Sequence, residues 1–213
     1  MGSRRPDPLP GTPVVVMGLM GAGKTTLARG LASRWGRPLR DSDRDLERDT
    51  GATAAELAAR LGADGLHELE ARHLLASLSR PVPSLEPARD LPPEPAPVIA
   101  TAASTVEVPE CRRVLACAVV LWLDVSVPEL ASRQRRGAHR PRYGDDPVAM
   151  LTAMDERRRG LFRQVADIVI TVGQHGPPVS GPEREAEARR VQALAARRIR
   201  AFARAHGAEG AHP

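Results

Sequence analysis

The chain has 213 residues, with 31 Lys and Arg against 26 Asp and Glu and a formal net charge of +5. That length suits one domain with attachments, able to bury about 70% of its unfolded surface without disulfides. Arg supplies the basic excess, since Lys24 is the only Lys and Asn is absent; this GC-rich codon signature, with only two Phe, two Trp and one Tyr for stacking, argues against a nucleic-acid binder.

Residues 1–12 are polar and Pro-rich (Arg4, Arg5, Pro6, Pro8, Pro10) and are expected to form a disordered leader. They contain no apolar stretch or small-residue cleavage site, so no secretory signal is expected. The longest apolar runs, 14–17 and 114–123, fall short of the roughly 18 residues of a membrane helix. Cys111 and Cys117 show neither metal spacing nor a disulfide framework, which agrees with reduced thiols and a cytoplasmic location.

The domain proper is expected over 13–173. A β-branched run at 14–17, bounded by Pro13 and Gly18, predicts a buried parallel strand, and 27–34 has helical spacing. Buried strands are also predicted at 98–101, 119–123 and 167–172, with a short one possible at 38–40. Helices are predicted at 54–61, 65–78, 109–115, 127–136 and 147–165. This alternation predicts an α/β fold, a central parallel sheet with helices on both faces. Seven prolines between Arg80 and Pro97 predict an exposed extended loop over 80–97. The stretch 174–213 is expected to be a linker and an added helix over 183–206, with an irregular stripe of Val191, Leu194, Ile199 and Phe202. That helix either docks on the domain or serves as a partner or dimer contact.

Gly18-Leu19-Met20-Gly21-Ala22-Gly23-Lys24-Thr25 fits G-x-x-x-x-G-K-[ST] between a predicted strand and a predicted helix. Such glycines let backbone N–H groups curl around phosphates, and the helix N-terminus adds positive potential. The Lys reaches the β- and γ-phosphates and the Thr hydroxyl can ligate Mg²⁺. A loop that merely turned the chain would explain the glycines, but not why the only Lys stands there. Gly18, Gly21, Ala22, Gly23, Lys24, Thr25 and Thr26 are therefore expected to bind a nucleotide. Asp41-Ser42-Asp43 follows a possible short strand. Two carboxylates two apart on an extended segment share a face, where one could hold a magnesium water and the other an acceptor hydroxyl. Equally, the trio could cap a helix running through Leu46.

With these motifs in order, the chain resembles the shikimate kinases over about 14–172. Beyond the glycine loop and the Asp-Ser-Asp, the resemblance rests on Gly51 with Ala54-Ala55-Glu56-Leu57, on Leu69-Glu70, and on Pro109-Glu110 with Leu115. It continues through Leu121-Trp122-Leu123-Asp124, Arg140-Pro141, and Arg158 with Leu161-Phe162 and Val165-Ala166-Asp167. The resemblance implies a P-loop kinase fold with a small lid around 133–147. It also implies that Lys24 and Arg140 steady the transferred phosphoryl, that Thr25 and Asp41 hold Mg²⁺, and that Arg133 joins the nucleotide site. Asp43 would act as base or orienter for the acceptor hydroxyl, and Arg158 would grip an anionic group of the acceptor beside His67 and Ala103. Independently, 131–163 hold nine Arg against four acids, a surplus suited to a flap closing over triphosphate, although Arg135 and Arg136 also fit a solvated face.

Two departures fall on the acceptor side. Leu66-His67 stands where the family has Phe-Arg, and imidazole lacks the permanent bidentate fork of a guanidinium; His67 also fits an ordinary surface-helix residue. Ala102-Ala103-Ser104 replaces the family's glycine triplet, and the added side chains narrow the backbone's approach to a substrate and restrict φ. The expected activity is ATP- and Mg²⁺-dependent transfer of a γ-phosphate to a hydroxyl of a small molecule, either shikimate or an altered cyclitol or sugar-like acceptor. A monomer or weak dimer is expected, with neither nucleic-acid nor membrane partner. The alternative is a non-catalytic nucleotide-binding protein, a decayed kinase with a regulatory role, but such a binder needs no acceptor-side carboxylate like Asp43.

Overall fold

A computed structural model describes residues 6–79, 95–136, 146–173 and 180–207. Strand β1 (Val14–Met17) is buried on both faces, as its unbroken apolar sequence requires. Helix α1 (Lys24–Trp35) buries Leu27, Ala28, Leu31, Ala32 and Trp35, one apolar stripe, and ends at Gly36 in the left-handed region. There follow β2 (Leu39–Asp41), α2 (Ser42–Thr50), α3 (Ala54–Leu78), β3 (Val98–Ala100), a 3₁₀ turn (Ala103–Glu107) and α4 (Pro109–Leu115). The chain continues through β4 (Val119–Val125), α5 (Val127–Arg136), α6 (Pro147–Val165), β5 (Ile168–Val172) and α7 (Gly181–Gly207).

All five strands are parallel, in the order β2-β3-β1-β4-β5. The connection from β1 passes over β3 to reach β2, whereas the one from β3 crosses back over β1 to β4. The order reverses between β1 and β3, and the crevice beyond the carboxyl ends of such strands is where open α/β sheets bind ligands. The glycine loop and Ala102 follow the ends of β1 and β3, and Asp41 is the last residue of β2. Helices α1 and α7 pack on each other, α1 against β1 to β3 and α7 against β5; α3, α4 and α6 gather around the 3₁₀ turn, with α6 reaching β4. The main core includes Leu31, Ile99, Leu121, Leu130, Phe162 and Ile199. A satellite cluster of Leu46, Ala52, Leu57 and Leu66 joins α2 to both halves of α3.

One feature differs from the sequence reading. The leader expected to be disordered over 1–12 is tied down in its described part. Leu9 packs on the core, Pro10 O accepts from Ala96 N at 3.0 Å, and buried Arg37 donates to Thr12 O and to Ala96 O. The two helical stretches expected over 54–61 and 65–78 are both present in α3, joined across Gly62, whose φ of 75° and ψ of 173° break the regular path. Of the two readings of the C-terminal helix, docking on the domain holds for α7: Ala195, Ala196 and Ile199 are fully buried and Gln192 Nε2 donates to Gly30 O at 2.7 Å. Of the loop expected over 80–97, residues 80–94 lie outside the described residues, as do 137–145 of the expected lid. No helix among the described residues is long and apolar enough to cross a membrane.

Candidate active site

The glycine loop owes its path to residues that only glycine satisfies. Gly18 has φ 144°, and a Cβ there would stand 2.7 Å from Leu123 O. Gly23 has φ 101° and takes the N-cap position of α1 without a side-chain cap, so the N–H groups of the first helical turn stay open toward the crevice. Lys24 Nζ donates to Leu19 O at 3.3 Å across the loop. The side chain is only half-buried by accessible surface, yet protein surrounds its amino group. Desolvation pulls the amino group below its ordinary pKa, opposed by the charges of Asp43, Glu70 and Asp41.

Asp41 and Asp43 do not share an extended segment. Asp41 ends β2 and Asp43 lies in the first turn of α2, so both readings of the trio hold in part. Asp41 takes the N-cap position but makes no side-chain capping bond, and its buried Oδ2 has no hydrogen-bond partner among the described residues. Its backbone N–H donates to Asp45 Oδ2 at 3.2 Å, and Asp45 Oδ2 lies 2.9 Å from His73 Nε2. Burial pushes the Asp45 carboxyl up, but the bonds from His73 and from the Asp41 N–H leave it below its ordinary value. Asp43, by contrast, is exposed to the cavity.

That cavity, about 500 Å³, is lined by Lys24, Thr25, Thr26, Asp43, His67, Glu70, Ala103, Ser104 and Arg158, with Gly21 and Gly23. Residues from five elements thus meet at the crevice where the strand order reverses. Gln134 and Glu47 also line it and had no motif to announce them. The Ala-Ala-Ser segment forms ordinary L-residue backbone: Ala102 has φ −63° and the 3₁₀ turn begins at Ala103, so the expected restriction of φ imposes no strain. Ser104 is buried and its hydroxyl donates to Glu70 Oε2. Burial nevertheless holds the Glu70 carboxyl above its ordinary pKa. Burial and the Arg158 charge pull His67 down, favouring neutral imidazole at pH 7.

Helix α6 presents adjacent arginines to different partners, as the ~100° step of a helix dictates. Arg159 lies 5.3 Å over the Trp122 ring and pairs with Asp124 at 2.9 Å and Asp155 at 2.8 Å, clamping α6 to β4. Arg158, next in line, is directed into the cavity wall and donates from Nε to Glu107. Arg133 does not line the cavity. It pairs with Glu129 at 2.7 Å and Glu187 at 3.3 Å, and its Nη1 lies 3.5 and 3.4 Å from the carbonyls of Gly21 and Ala22. Arg140 lies outside the described residues.

The sequence model of the family described as "Shikimate kinase" matches residues 20–195. This chain belongs to the shikimate kinase family. The shikimate kinase of Burkholderia thailandensis is 35% identical over 170 residues, covering 79% of this chain and 84% of the relative. That of Symbiobacterium thermophilum is 37% identical over 161 residues, covering 74% and 84%. Among solved structures, a shikimate kinase from Acinetobacter baumannii in complex with shikimate is 28% identical, with a TM-score of 0.68 over 88% of this chain and 94% of that one. One from Bacteroides thetaiotaomicron, 21% identical with a TM-score of 0.67, agrees in fold. A shikimate kinase-like chain is an ATP-dependent phosphotransferase with a hydroxyl acceptor that uses ATP with Mg²⁺.

Proposed function

We propose that the acceptor is shikimate and that the cavity between α1, α2, α3 and α6 carries out the transfer. The observation behind this reading is that Lys24, Thr25, Asp43 and Arg158, distant in sequence, line one space of about 500 Å³. Gly18, Gly21, Ala22 and Gly23 shape the loop whose N–H groups cradle phosphates, with Thr26 at the mouth. Lys24 places its charge against the transferred phosphoryl. Asp43 is the exposed carboxylate on the acceptor side; it orients the hydroxyl or accepts its proton as the bond to phosphorus forms. Arg158 faces the acceptor's carboxylate, with neutral His67 and Ala103 completing the wall. Arg133 supports the loop from behind rather than touching nucleotide, and Arg140 keeps the phosphoryl-steadying role its motif implies.

The residues fit a bound Mg²⁺. Asp41 offers a buried oxygen without another partner and Thr25 a cavity-lining hydroxyl, both hard donors of the kind Mg²⁺ takes with phosphates and waters. The ion would supply charge neutralisation at the phosphates.

A coupled assay of ADP release with ATP and Mg²⁺, with and without shikimate and then with neutral cyclitols and sugar acids, tests this reading. Shikimate-dependent release is expected, and Lys24→Ala or Asp43→Ala should lower kcat by at least about a hundredfold while thermal unfolding shows a folded chain. Nucleotide binding without release for any acceptor would instead establish a pure binder.

A further inference from the structure

The cation directed at the acceptor is already paired within the protein. Arg158 has a side chain only 4% exposed, and its Nε donates to Glu107 Oε1. Arg157 holds the other oxygen of the same carboxylate at 3.0 Å. Glu107 closes the 3₁₀ turn that begins at Ala103. With three residues per turn, Ser104 and Glu107 lie on one side of it, Ser104 bonded to Glu70 and Glu107 to Arg158. One short turn thus places a hydroxyl on Glu70 and a carboxylate on Arg158, the two buried ionisable groups of the acceptor wall. His67, on the same cavity, is held toward its neutral form by burial and Arg158. Around the acceptor's anionic end the chain therefore sets Arg157 and Arg158 against Glu107, leaving one positive charge where two guanidinium groups stand.

We infer that Glu107 is a specificity-determining residue of the acceptor pocket: its carboxylate occupies Arg158 as an internal counter-ion, so an acceptor carboxylate must compete with it whereas a neutral hydroxylated acceptor need not. This rests on the reading of Arg158 as the acceptor-facing cation. Burial of Arg158 makes the competition effective, because a desolvated guanidinium needs a counter-charge and Glu107, bonded at Nε, already supplies one. Glu107, 28% exposed, keeps Arg157 as a partner if a charged acceptor takes over Arg158. Glu107 thus acts through Arg158 and sets the preference between acceptors of different charge.

The test compares the full-length chain with Glu107→Gln and Glu107→Ala, each checked for folding by thermal shift, using shikimate and its neutral methyl ester. Steady-state KM and kcat are measured for both acceptors, together with calorimetric Kd values in the presence of ADP. In Glu107→Gln, KM and Kd for shikimate should fall about tenfold, equivalent to ~1.4 kcal/mol, while the ester values move less than about twofold. The effect should lie in KM rather than kcat, and Glu107→Ala should show the same contrast. An unchanged or raised shikimate KM and Kd, or equal shifts for both acceptors, would overturn the inference, as would failure of wild type and variants alike to bind shikimate. Binding that follows the predicted contrast without turnover would uphold the role of Glu107 and refute the proposed kinase activity instead.

Discussion

Glu70 is buried among Lys24, Asp43 and Ser104, and burial lifts its carboxyl above the ordinary range even though Ser104 donates to it. A carboxyl whose folded pKa exceeds its unfolded one binds its proton more tightly in the folded state. Glu70 therefore costs stability once pH rises from the ordinary carboxylate range through the raised folded value. Glu70→Gln keeps an acceptor oxygen for Ser104 and removes the titration, so it should stabilise the chain near neutral pH. Thermal unfolding from about pH 4 to pH 8 should show the gain shrinking toward acid. A stability difference independent of pH would refute this. At this scale the sequence exposed what neighbours in the chain determine. Gly18, Lys24 and Thr25 lie within one eight-residue motif, and Asp43 follows a short strand. It concealed what folding brings together: Ser104 meets Glu70 across 34 residues and Arg158 meets Glu107 across 51. Arg133 illustrates the same limit, since besides Glu129 one turn back it pairs with Glu187, far along the chain.

Helix α3 bends because Gly62 adopts φ 75° and ψ 173°, a region essentially closed to residues with a Cβ. The bend lets Leu57, before it, and Leu66, after it, enter the same satellite cluster with Leu46 and Ala52. That cluster carries α2, and with it Asp43. Gly62→Ala would meet open space but a strained backbone, so it should cost about 1–3 kcal/mol in chemical denaturation. It should also raise the acceptor KM more than the ATP KM, because α1 packs in the main core. Equal effects on both constants would show that the satellite cluster does not hold the acceptor side. Periodicity found the two halves of α3, over 54–61 and 65–78, on either side of the break at Gly62. It placed Asp43 on an extended segment because the helix beginning at Ser42 is short and highly polar. The ends of α4, α5 and α6 were legible from Pro109, Pro147 and the apolar spacing between.

Across the whole molecule, α7 completes the face of the sheet that α1 begins. Ile199 is fully buried, so Ile199→Ala should lower stability by about 2–5 kcal/mol. Loss of ATP affinity should follow only as the fraction folded falls, which a denaturant titration read by intrinsic fluorescence and by nucleotide binding would establish. Loss of affinity in fully folded protein would mean that α7 also sets the loop's shape through Arg133. Fold class followed from alternating strands and helices, but strand order did not, since pairing joins segments whose side chains carry no mutual label. Val14 pairs with Val98 and Val119, both synthesised long after it. On the ribosome, the first strand and the phosphate loop behind it therefore emerge without their neighbours, exposing an apolar ribbon until β3 and β4 leave the tunnel. The nascent chain should engage chaperones through this interval and acquire nucleotide affinity late, once Gln192 reaches Gly30 and the helix bearing Lys24 is covered.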